Sequence, residues 1–164
     1  MSDMADATEH RTEEFKEALT MALYVAICLL AALAVTNEST AEAHVWELIW
    51  GTTLGLAIAH WFAFQASARM VAGGDVRAHD ARVAVAQLLG AGAVAVLASI
   101  PILVFPTSVE FDVVVIVLAG FLTVVGFFIA RAGGASHARS IGYAAGLLVV
   151  GFGVVIVKIW LTGH

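Results

Sequence analysis

The chain has 164 residues, of which 61% are hydrophobic and 13% charged, with a formal net charge of −5 and a mean hydropathy of +0.95. A soluble domain carries roughly 25% charged residues, and a chain this short cannot hide so much apolar surface in one core. The composition therefore argues against a water-soluble fold and for a lipid bilayer as the main partner; the lack of a basic stripe with interleaved aromatics argues against nucleic acid.

Residues 1–17 are polar and rich in acid, with Asp3, Asp6, Glu9, Glu13, Glu14 and Glu17 set against Arg11 and Lys16. They read as a solvated cytoplasmic tail, disordered or loosely helical. Five apolar runs follow, at about 18–35, 46–68, 83–105, 111–130 and 141–161, and 162–164 close the sequence. Each is near the roughly 20 residues that a spanning helix needs. The first run, Ala18 to Val35, holds 18 residues without a charge. That is longer than the hydrophobic stretch of a signal peptide, about 7–15 residues, and its acidic flank is wrong for one, so its retention is expected. Helices are the expected state throughout, because lipid offers no partner to a free backbone amide. The alternation of a membrane β-barrel is missing. The predicted fold class is thus all-α: a polytopic transmembrane bundle of five spans.

Positive charge orients it. Arg11 and Lys16 precede the first span, Arg69, Arg77 and Arg82 flank the second connection, and Arg131 and Arg139 flank the fourth. Seven of the eight basic residues then share one side, with Lys158 the exception. The positive-inside rule makes that side cytoplasmic, which puts the N-terminus in, the C-terminus out, and the protein in the cell membrane as a multi-pass chain. Trp46, Trp50, Phe105, Phe111 and Trp160 gather at the outer interface as an aromatic belt.

His60 is the sharpest candidate for chemistry, since an ionisable side chain within a span is costly and usually faces a partner or a water path. Thr53, His60 and Ser67 recur every seven residues and so share one helix face. Such a stripe suits a proton or cation path, histidine being the side chain whose charge ordinarily changes near physiological pH; a hydrogen bond to a neighbouring helix accounts for it more simply. A second candidate is the outer acidic cluster of Glu38, Glu42, His44 and Glu47, whose ligand types suit a divalent cation without matching a specific motif. A third is the inner arginine set, Arg69, Arg77, Arg82, Arg131 and Arg139, which topology explains and which also suits lipid headgroups. Gln65 and Gln87 lie near cytoplasmic span ends, where solvent satisfies them, and the lone Cys28 reads as a packing residue.

The two inner connections echo one another: Arg69, Gly73, Gly74, His79 and Arg82 against Arg131, Gly133, Gly134, His137 and Arg139. Convergence explains this more simply than duplication, because any cytoplasmic turn favours arginine and glycine. Gly51–Gly55 and Gly142–Gly146 are GxxxG pairs that suit close helix contact, so a homo-oligomer or a larger membrane complex is expected. The segment Trp50 to Gln65 (WGTTLGLAIAHWFAFQ), with Ser67, Ala68 and Arg69 after it, resembles small uncharacterised integral membrane proteins of actinobacteria. That resemblance implies no activity, cofactor or partner, only that the surroundings of His60 are a family feature.

No catalytic, Walker or dinucleotide motif is present. The expected function is therefore a non-enzymatic membrane subunit or small oligomeric module without a cofactor. The alternative is a proton- or cation-conducting channel or transporter that uses the His60 stripe.

Overall fold

The computed structural model describes residues 2–34, 38–71 and 78–162. They form five helices: α1 (Ser2–Leu33), α2 (Glu38–Val71), α3 (Ala78–Val104), α4 (Thr107–Ala132) and α5 (His137–Thr162). The stretches Arg11–Leu33, Ala81–Val104 and Thr107–Ala132 are long and apolar enough to cross a bilayer. They overlap the first, third and fourth expected spans, the first beginning seven residues earlier. One boundary differs in kind: the acidic segment is helical from Ser2 and runs unbroken into the first span, because its glutamates, alanines and lysine are good helix formers.

The core forms between α1 and α3, which make the most extensive contact in the bundle. Val25, Ala26, Leu29 and Leu33 meet Ala91, Val94, Ala95 and Ala98, with Val45 and Ile49 of α2 closing the side. The α3 face is nearly all alanine, which allows the backbones to approach; in lipid such packing, rather than water exclusion, holds helices together. On α4 the buried residues Val114, Leu118, Leu122 and Gly126 recur every four positions, one stripe turned inward. Large apolar side chains cover the outside, among them Ile58, Leu89, Leu103, Ile116, Phe128 and Ile156. A contiguous apolar exterior of this kind is foreign to a soluble monomer.

The connections follow from local chemistry. Pro101 is buried within α3, and α3 ends soon after it; Pro106 then precedes the first turn of α4, where its missing N–H costs nothing. The turn between α4 and α5 is a Schellman motif. The N–H of Ala135 donates to the Ala130 carbonyl and that of Gly134 to the Arg131 carbonyl, while Gly134 takes φ +79°. Arg131 adds a donor of its own, its Nη1 reaching the Ala135 carbonyl at 2.9 Å. Ser136 then caps α5, its hydroxyl accepting from the Arg139 N–H at 3.4 Å.

Helix α2 is kinked at His44, whose backbone (φ −139°, ψ 26°) is not helical. Beyond the kink it buries Val45, Ile49, Thr53 and Ala57 at four-residue spacing. Past Ala57 every side chain from Ile58 to Ala63 is exposed. The lower half of α2 stands partly clear of the bundle.

Candidate functional site

Glu17, Thr20, Met21 and Tyr24 of α1, His60 of α2 and Gln87 of α3 line a groove of about 250 Å3. Its position follows from how closely α1 and α3 cross. A β-carbon on Gly90 would collide with the carbonyl oxygen of Ala18, so the two backbones touch there. That contact brings the residues one turn away together. Gln87 Nε2 donates to Glu17 Oε2 at 2.9 Å across the helix pair.

Both side chains correct the sequence reading. Glu17 belonged to a solvated tail and Gln87 to a span end open to solvent. Instead Gln87 is only 8% exposed and Glu17 half-buried, each serving as the other's partner. An amide buried at this depth needs such a bond, since an unpaired polar group away from water costs more than the bond itself contributes. Among the described residues no lysine, arginine or histidine lies within ion-pairing distance of the Glu17 carboxylate.

The remaining walls are mixed. Thr20 turns its hydroxyl back to the Lys16 carbonyl at 2.9 Å, so its lone pairs stay available. Tyr24 lines the groove from α1, seven residues beyond Glu17 and so on the same helix face. His60 is exposed and forms the α2 rim.

The stripe of Thr53, His60 and Ser67 does not have one environment. Thr53 is 2% exposed and its hydroxyl has no hydrogen-bond partner among the described residues, whereas His60 and Ser67 are exposed. Seven residues do return to the same face, but the face is covered at Thr53 and uncovered once α2 stands clear below Ala57. One turn above Thr53, the Trp50 indole N–H donates to Ser99 Oγ at 3.1 Å, and Ser99 donates on to the Ala95 carbonyl at 2.7 Å. That link ties α2 to α3.

Near the start of α2, His44 Nδ1 and Glu47 Oε1 are 3.8 Å apart, both well exposed. The side chains of Glu38 and Glu42 lie outside the described residues, among which no group of three metal-ligating side chains occurs. Glu110 is buried at 5% in the first turn of α4, where the helix dipole favours negative charge. Of the inner arginines, Arg69, Arg82, Arg131 and Arg139 are exposed, and Arg77 lies outside the described residues.

Five helices, three of them fit to cross a bilayer, and an apolar exterior define a helical protein of the membrane class. No protein-family model, curated protein or solved structure matches the chain.

Proposed function

We propose that this chain is a non-enzymatic integral protein of the cell membrane, crossing it five times from a cytoplasmic N-terminus, and that it works as a subunit of an oligomer or larger membrane assembly. The observation that carries this reading is the lower half of α2. Six consecutive side chains around His60 are exposed among the described residues, and a helix holding an ionisable group within an apolar run calls for a neighbour. On the same helix the GxxxG pair leaves open space, with nothing within 4 Å of a β-carbon built on Gly51 or Gly55, and the same is true of Gly142 and Gly146. Small-residue faces of this kind suit a second helix in lipid. Glu17 and Gln87 share a groove with the late residue His60, so α2 runs against α1 and α3, which is the direction a span between them would take.

The assembly is tested in a Cys28→Ala background reconstituted in liposomes, with single cysteines at Gly55 or Ile58. Oxidative cross-linking to a discrete dimer, or to a partner identified by mass spectrometry from native membranes, supports the reading; a chain that stays single by both assays sinks it. Orientation is tested in the same background. Cysteine at Ser136 is expected to label from the cytoplasmic side and cysteine at Ser108 from the outside.

A second reading, proton or cation conduction, is favoured by one specific fact: Glu17, His60 and Gln87 converge on one groove. Proton flux in liposomes left unchanged by His60→Ala would end it.

A further inference from the structure

The groove holds an acid, Glu17, with no basic partner among the described residues. Glu17 has one oxygen fixed by the Gln87 amide, the other oxygen unclaimed, and no basic group within ion-pairing distance among the described residues. A half-buried carboxylate in that condition favours a cation beside it. What kind of cation is decided by the other walls. Hard metal ions take about six or more oxygen ligands, and no set of three His, Cys, Asp or Glu side chains is present among the described residues. The groove instead offers the ring of Tyr24, the imidazole of His60 and the thioether of Met21 around the single carboxylate. Aromatic faces beside one acid are the setting that recognises a substituted ammonium group, by charge and by attraction to the ring.

The space agrees in scale. About 250 Å3 corresponds to roughly eight waters at about 30 Å3 each, room for a small organic ion and too little for a lipid. The lining residues come from the middle of α1, the late part of α2 and the early part of α3. The titratable side chains lining it are Glu17 from α1, His60 from α2 and Tyr24 from α1; α3 contributes the neutral Gln87, and Arg82 sits in the adjoining cleft with Glu14.

We propose that the groove between α1, α2 and α3 is a binding site for a small organic ammonium ion, with the Glu17 carboxylate as its counter-charge, Gln87 as the residue that positions that carboxylate, and the Tyr24 ring as the aromatic wall. The site lies within one chain and does not depend on assembly.

The test is isothermal titration of the full-length protein in lipid nanodiscs with tetramethylammonium chloride and with benzylammonium chloride, against sodium chloride at matched ionic strength. Saturable heat with either ammonium salt and none with sodium is expected. Glu17→Gln keeps an oxygen for the Gln87 amide, so the helix pair stays joined while the charge is lost; affinity is expected to fall by at least about tenfold, the scale set by removing one partner of a desolvated charge pair. Tyr24→Phe keeps the ring and is expected to keep binding, whereas Tyr24→Leu is expected to weaken it severalfold. Absence of saturable heat in the unaltered protein, equal binding by Glu17→Gln, or equal heats from sodium would each overturn the proposal. Elution position and helical circular dichroism, unchanged in Glu17→Gln, separate lost binding from lost folding.

Discussion

The carbonyl oxygen of Ala18 occupies the place where a β-carbon on Gly90 would have to go. This crossing sets the spacing of α1 and α3, and with it the reach between Glu17 and Gln87. Gly90→Ala is expected to lower stability by about 1–3 kcal/mol, the usual cost of overfilling a packed contact. Gly92→Ala meets nothing within 4 Å, so it is expected to be neutral or to gain up to about 1 kcal/mol of helix propensity. Unfolding by SDS titration from mixed micelles compares the two; equal losses would show that the crossing is not what limits the site.

The bond from Gln87 to Glu17 is expected to couple the two helices. A double-mutant cycle of Glu17→Ala and Gln87→Ala in the same assay should give an interaction of about 0.6–1.7 kcal/mol, the span measured for hydrogen bonds between membrane helices. Strict additivity of the single changes would mean that the two side chains do not depend on each other.

Trp50 and Ser99 join α2 to α3 by one donor. In Trp50→Phe the serine keeps its bond to the Ala95 carbonyl and leaves no orphan, so the loss from the bond itself should stay near 1 kcal/mol. Ser99→Ala strands the part-buried indole N–H and is expected to cost more, about 1–3 kcal/mol. An inverted order would argue that the tryptophan acts by bulk alone.

Gly134, at φ +79°, permits the turn between α4 and α5. Gly134→Ala is expected to cost about 1–2 kcal/mol, the penalty for a side chain in the left-handed region. Gly133 sits at φ −76° with ordinary surroundings, and Gly133→Ala is expected to change little. Melting temperatures in detergent distinguish them.

Much of the fold could be read from residues alone. The apolar runs overlap the described helices, but nothing in the uniformly apolar α4 distinguishes Val114, Leu118 and Leu122 from their neighbours until the packing is known. The groove was less accessible. His60 stood out because it interrupts an apolar run, yet its partners did not: Glu17 looked like one acid among six in a tail, and Gln87 like a polar end residue. Their pairing spans 70 positions and exists because Gly90 lets two particular helices touch. Spacing likewise put Thr53 and His60 on one face but could not reveal that the bundle covers only the first. Periodicity reports direction around a helix axis; coverage depends on where neighbouring axes run.

Only Phe105 and Pro106 separate α3 from α4, and both helices are fit to cross a bilayer. So brief a link cannot wait at the surface while one helix enters without the other. During biosynthesis the pair must go in together as a single hairpin, and the carboxylate of Glu110 travels with it. A lesion that spoils the insertion of either helix should therefore strand both, along with the alanine face that α1 needs before the groove can close around Gln87.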